Sequence, residues 1–230
     1  MTAGARDIAA NLAAVRAQLA DAAVGAGRDP SVVRLVAVSK MHPADAVRAA
    51  YDAGQRDFGE NYVQEFAAKA DALADLADLR WHFIGHLQTN KARDVVGRAS
   101  WVHGVDSERL LRELDKRASA AGCALDVLLQ VNVAGEAQKS GCAVEEVPAL
   151  VTVARELTAL SLRGLMTVPP LVDDAEASRP WFEALRSLRD AHGGAAALPE
   201  LSMGMSHDLG VAVACGATMV RVGTAIFGAR

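Results

Sequence analysis

Residues 33–40 read VRLVAVSK, a short apolar and β-branched run that ends in a lysine. A polar turn follows, and then PADAVRAAYDAG (43–54), with apolar residues at helical spacing and a glycine at its end. The same order recurs down the chain. Further runs are RDFGENY (56–62), RWHFIGH (80–86), WVHGVDS (101–107), LDVLLQVNV (125–133), LRGLMTV (162–168), ELSMGMS (200–206) and TMVRVGTAIFG (218–228). Helical stretches lie between them: VQEFAAKADALADLADL (63–79), NKARDVVGRA (90–99), SERLLRELDKRASAAG (107–122), VEEVPALVTVARELTAL (144–160) and RPWFEALRSLRDAHG (179–193).

Strands that alternate with helices pair in parallel through right-handed crossovers. Eight strands favour a closed (β/α)8 barrel of the TIM type over an open doubly wound sheet, which is the alternative. The 230 residues also suit a barrel, a fold that starts at about 200 residues. Residues 7–27 form an additional amphipathic helix ahead of the first strand, placed to cover the gap after the eighth. With no linker or low-complexity stretch, 1–230 reads as one domain.

Composition narrows the function. Half the chain is apolar (51%) and 23% is charged, enough for a large core. Net charge is 24 − 28 = −4, and aromatics are 4%. Neither the field nor the stacking platforms of a nucleic-acid binder are present. No apolar run reaches about 18 residues, so no membrane span is expected. Cys123, Cys142 and Cys215 are odd in number and widely spaced. They suggest reduced thiols and a cytoplasmic setting rather than disulfides or a zinc site. The N-terminus lacks the pattern of a secretory signal.

In a parallel barrel the chemistry sits where strands end. Lys40 closes the first run; partial desolvation there would lower its pKa and make it a nucleophile toward an aldehyde, although it could simply begin a loop. Arg221 interrupts the eighth run and needs an acceptor, in a salt bridge or otherwise. Gly223 and Thr224 follow it, where backbone N–H groups and a hydroxyl suit a phosphate; a plain tight turn is the other reading. Ser206 ends the seventh run and could join the same phosphate or cap the next helix. Asn61, within Glu60-Asn61-Tyr62, could hydrogen-bond a ligand oxygen or serve its own turn. His82, Ile84 and His86 share one face of a regular strand, but no glutamate or cysteine completes a metal set, and none is expected. His103 and the other histidines read as structural.

A strand-one lysine, a phosphate cradle and a strand-eight arginine at one barrel end suit an aldehyde that carries a phosphate and accepts from arginine. Pyridoxal 5′-phosphate (PLP) meets these demands, with its aldehyde on Lys40, its phosphate on Ser206, Gly223 and Thr224, and its ring nitrogen toward Arg221. The ordered motifs AVSK (37–40), FGENYVQE (58–65), WHFIGHLQTNK (81–91), GLM (164–166), SMGMSHD (202–208) and VRVGTAIFG (220–228) resemble the pyridoxal-phosphate homeostasis proteins over nearly the whole chain. The barrel of that family is similar to the N-terminal domain of bacterial alanine racemase. The resemblance implies a Schiff base at Lys40, with Arg221 at the ring nitrogen, phosphate at Ser206, Gly223 and Thr224, and Asn61 and Met166 lining the pocket. It implies a carrier serving intracellular vitamin B6 homeostasis, with PLP-dependent apo-enzymes as recipients.

An arginine keeps the ring nitrogen unprotonated, and so weakens the ring as an electron sink. Racemisation needs a base on each face of the substrate carbon. The racemases take the second, a tyrosine, from a C-terminal β domain that this sequence is not expected to carry. Tyr51 falls in a helix and Tyr62 follows a turn, so neither is an evident opposing base. Robust catalysis is therefore not expected. The alternatives are a weak PLP-dependent amino-acid racemase or related lyase, and a Schiff-base aldolase. A closed barrel has no sheet edge to pair, so a monomer is expected.

Overall fold

The computed structural model describes residues 3–136 and 138–229. Eight strands close into one parallel barrel in chain order. They are β1 (Arg34–Val38), β2 (Asp57–Glu60), β3 (Arg80–Phe83), β4 (Trp101–Val105), β5 (Leu125–Gln130), β6 (Leu160–Met166), β7 (Glu200–Ser202) and β8 (Met219–Val222). Register is continuous through the closing pair, where Arg34 faces Met219 and Val36 faces Arg221. The barrel expected from the alternating runs is the one found.

The helices are α1 (Ala3–Gly25), α2 (Ala44–Asp52), α3 (Val63–Ala72), α4 (Ala92–Val95), α5 (Glu108–Ala121), α6 (Val147–Glu156), α7 (Arg179–Ala191), α8 (Gly194–Ala197), α9 (Leu209–Ala214) and α10 (Thr224–Phe227). Helix α5 shows how the sequence makes them. Ser107 caps it by accepting from the Leu110 N–H at 3.4 Å, and Gly122 ends it at φ 62°. Leu110, Leu111, Leu114 and Ala118 form its buried stripe. Three helices are shorter than their periodicity implies; α6 is one, because Leu157 turns extended and the chain enters β6 at Leu160. The stretch 90–99 yields the end of a 3-10 turn (Thr89–Lys91) and then α4, which stops because Val96 is extended and Gly97 follows at φ 85°. The stretch 63–79 leaves α-helix after Ala72 and continues as three-residue turns from Leu73 to Leu76 and on to Leu79.

Helix α1 packs on α2, α9 and α10, so it covers the seam between the last strand and the first. Leu12, Val15, Leu19 and Ala23 bury its inner face. Arg28 then donates to the Val213 and Ala217 carbonyls, both at 2.7 Å. Among the described residues no helix is long and apolar enough to cross a membrane.

Side-chain alternation sorts the strands into two cores. Leu35, Phe58, Phe83, Val102, Leu129, Leu201 and Val220 face the helices in one large cluster. Inside the barrel, Trp101, Leu128, Met166 and Met219 form a separate small one. The interior also holds buried polar side chains: Asp57, His82, His103, Ser202 and Arg221. These position the site.

Candidate functional site at the barrel mouth

Lys40 lies two residues beyond the end of β1 and is half-buried. Because Val36 faces Arg221 and Ala37 faces Val222 across the closing pair, Lys40, Arg221 and Gly223 belong to the same rim of adjacent strands. Gly223 passes close to β1: a Cβ there would stand 3.0 Å from the Val38 carbonyl oxygen, a tight contact. The turn after Lys40 is strained, since Met41 is the one non-glycine among the described residues with positive φ, at 65°. Glu65 holds it, accepting from the Met41 N–H at 2.5 Å.

Arg221 is buried, and the acceptors it reaches are uncharged. Its Nη1 donates to Ser202 Oγ at 2.6 Å and its Nη2 to the Thr167 carbonyl at 2.9 Å. Burial pushes its pKa down to about 10, with Asp208 offsetting only part of that. It remains a cation at neutral pH. The acceptor demanded by the sequence is therefore a hydroxyl and a carbonyl, and no salt bridge to Arg221 is present among the described residues.

Behind Ser202 the polar contacts continue. Ser202 Oγ lies 2.9 Å from His103 Nδ1, His103 Nε2 lies 2.9 Å from His82 Nδ1, and His82 Nε2 lies 2.9 Å from Asp57 Oδ1. Arg80 grips Asp57 with two donors, at 2.8 and 2.7 Å. Burial pushes the Asp57 carboxyl up, but Arg80 and His82 more than offset it and hold it well below the usual range. Burial lowers the pKa of both imidazoles, with Asp57 partly countering this at His82, and with His82 and Arg221 adding to it at His103.

The other residues singled out in the sequence fall as follows. Asn61 follows β2, and its Oδ1 is buried with no hydrogen-bond partner among the described residues. Met166 ends β6 in the interior cluster. Thr224 is exposed at the start of α10, and Ser206 is half-buried in the turn between β7 and α9. The N-cap position of α9 belongs to Asp208, so capping does not occupy Ser206. Glu60 turns away from the mouth: Ser39 Oγ and Lys69 Nζ both donate to its Oε1 at 2.6 Å.

His86 corrects a sequence expectation. It does not share a face with His82, because β3 ends at Phe83 and the chain leaves the strand before it. His86 is instead exposed, 3.5 Å from Asp106. The backbone bends there because Gly85 lies against Asn61; a Cβ on Gly85 would stand 2.1 Å from the Asn61 carbonyl oxygen. What the sequence reading missed is the partnership of His82 with His103 and Ser202. The available signal was the inward parity of polar residues in otherwise apolar strands.

A model of the alanine racemase N-terminal domain matches residues 9–230. The chain belongs to this family. A relative from Pseudomonas aeruginosa, named pyridoxal phosphate homeostasis protein, is 51% identical over 97% of this chain and 96% of its own. The PipY protein of Synechococcus elongatus, solved with PLP bound, superposes with a TM-score of 0.79 at 42% identity, covering 96% of this chain and 100% of that one. An alanine racemase from Corynebacterium glutamicum matches with a TM-score of 0.69 at 17% identity over 96% of this family member, which spans 60% of the racemase. That likeness concerns the fold.

Proposed function

We propose that this chain binds PLP at the barrel mouth, holds it covalently but reversibly on Lys40, and serves intracellular vitamin B6 homeostasis rather than robust catalysis. The observation that carries this reading is the buried Arg221 cation, served among the described residues only by neutral acceptors on the rim that also bears Lys40. A buried charge of that kind gains from a further acceptor. An unprotonated pyridine nitrogen is one. The residues present fit the group in two other ways. Asn61 Oδ1 is buried without a partner, so its amide has capacity for a ligand atom. Gly223 lets the chain pass tightly against Val38, and the first N–H groups of α10 have no partner within the helix.

When bound, PLP supplies an aldehyde that condenses reversibly with an amine. Lys40 is that amine. Arg221 donates toward the ring nitrogen and keeps it unprotonated. Ser206, Gly223 and Thr224 offer hydroxyls and backbone donors to the phosphate. Met166 gives the pocket an apolar floor. The named function of the P. aeruginosa relative and the bound PLP of PipY support the same reading.

A weak racemase or lyase needs a second base. Tyr51 is committed elsewhere, donating to Asp78 and stacked under Arg56 with the guanidinium 4.0 Å from its ring centre. Tyr62 is exposed as the N-cap residue of α3. We further propose a cytoplasmic monomer built as one domain, with PLP-dependent apo-enzymes as recipients. The test is an absorbance spectrum with borohydride trapping and peptide mapping. The native chain should be yellow and carry the adduct on Lys40, and Lys40→Ala should lose it. An unchanged adduct in Lys40→Ala refutes the site. Rapid deuterium exchange at an amino-acid α-carbon, beyond that of free PLP, would favour the enzyme.

A further inference from the structure

Five buried groups make one continuous line from Arg221 through Ser202, His103 and His82 to Asp57. They come from β8, β7, β4, β3 and β2, and the line crosses the barrel interior from the mouth to the opposite end. Buried polar atoms are nearly always paired, and pairing each atom along this line fixes where every proton sits. Asp57 is ionised, held by the Arg80 fork, so it can only accept. His82 must therefore donate from Nε2. A neutral His82 then accepts at Nδ1, so His103 donates from Nε2 and accepts at Nδ1. The hydroxyl that faces Nδ1 must be the donor, which leaves Ser202 Oγ a lone pair for Arg221. Each group donates to the next, and reversing any link strands a proton or a lone pair.

We propose that Ser202, His103, His82 and Asp57 are positioning residues for Arg221, a one-way chain of donors that fixes the guanidinium at the barrel mouth. The proposal rests on the reading that Arg221 faces a bound cofactor ring. Its consequence is that the far end of the barrel helps set how the cofactor is held. Ser202 with its proton turned toward His103 presents only a lone pair to Arg221 and cannot compete as a donor. The second acceptor, the Thr167 carbonyl, fixes the plane of the fork. Trp101 holds His82 in place, stacked at 5.6 Å between ring centres and 6° between planes. Arg34 caps the other end of that stack, 5.2 Å from the Trp101 ring centre, and lies 3.7 Å from Glu200. The charged groups that bear on the two imidazoles are thus Asp57, Arg80, Arg34 and Arg221, while Asp208 bears on Arg221. A ring that became cationic would face Arg221 as a like charge and lose its acceptor nitrogen.

Two measurements on the full chain test this. In the unloaded protein, ¹⁵N-labelled histidine spectra should show His82 and His103 neutral with the proton on Nε2 at pH 7. A proton on Nδ1 of either ring, or a cationic ring, overturns the chain. In the loaded protein, the pH profile of cofactor absorbance and the PLP dissociation constant should respond to the remote links. Ser202→Ala should weaken PLP about ten-fold and shift the profile. His82→Phe, three links away from Arg221, should move both in the same direction, and His82→Gln, which keeps an acceptor and a donor, should restore them in part. A purely structural His82 would lower the melting temperature and leave the profile where it was, and that result overturns the proposal. If His82→Phe does not fold, the Ser202→Ala titration and the native spectra still decide. With no adduct on Lys40 in the native chain, the cofactor reading falls and the proposal with it. An intact adduct with an unmoved profile overturns the proposal alone.

Discussion

Two buried cations stand near the mouth of this barrel on opposite terms. Lys69, on α3, gives Nζ donors to Glu60, to Glu65 and to the Ser39 carbonyl at 2.6 to 2.8 Å. Arg221, on β8, reaches among the described residues only a hydroxyl and a carbonyl. The first site is electrically closed and faces the helix layer. The second is open and faces the interior. A buried charge with its counter-ions present is part of the scaffold. One without them is where a ligand gains most, because the desolvation of the charge has already been borne by folding.

Removing each cation should therefore break different things. Lys69→Met leaves Glu60 buried and uncompensated, and its Oε2 already lacks a partner. It should cost about 3–5 kcal/mol in urea unfolding, the largest effect expected of any single change at the mouth. A loss below about 1 kcal/mol would show that Glu60 protonates at no cost. Arg221→Met should instead leave the unloaded fold as stable as the native one or more so, and weaken PLP about ten- to a hundred-fold. Equal destabilisation by the two substitutions would erase the distinction between the sites.

The pH dependence sharpens the same contrast, since the line of groups behind Arg221 must stay uncharged. Burial lowers the pKa of both His82 and His103. In the unfolded chain each titrates at about 6.5. Below that pH the unfolded state holds more protons than the folded one, so stability is fully present above about pH 6.5 and falls as pH drops. From pH 7.5 to 5.5 both rings should remove stability, His103 more than His82 because it is lowered further. Asp57, held low, works in the same direction at more acid pH, while Glu60, which burial raises despite Lys69 and Ser39, works against it. Stability that stays flat between pH 7.5 and 5.5 would mean that the rings charge freely beside Arg221.

The two sites also differ in how far the sequence disclosed them. Lys40, Arg221 and Gly223 were legible because each interrupts or ends an apolar run, and the strand order then put β8 beside β1. The barrel was legible for the same reason, from runs that recur with helices between them. The line from Ser202 to Asp57 was not. Periodicity assigns a residue to a face, but His103 and Ser202 are 99 positions apart, and their contact depends on register and barrel stagger. His86 was misplaced because strand alternation was extended past Phe83, where the close approach of Gly85 to Asn61 bends the chain. The ends of α3 and α4 were overrun because amphipathic spacing continues through turns that Gly97 and the segment 73–79 in fact make.

The smallest expected effect lies where the closed site touches the open one. Glu65 accepts from Lys69 at 2.8 Å and from the Met41 N–H at 2.5 Å, and so ties the scaffold to the residue next to Lys40. Met41 needs that tie, because a side chain at φ 65° crowds its own backbone at a cost of about 1 kcal/mol. Glu65→Ala should lower stability by about 1 kcal/mol, since Glu60 still neutralises Lys69. It should weaken PLP only a few-fold, through a looser Lys40 turn. Adding Met41→Gly should recover much of the stability, because glycine takes positive φ without strain. It should not recover PLP affinity, because glycine frees the turn that Glu65 had fixed. Recovery of both would assign the whole effect to strain at Met41 and leave Glu65 no part in placing the lysine.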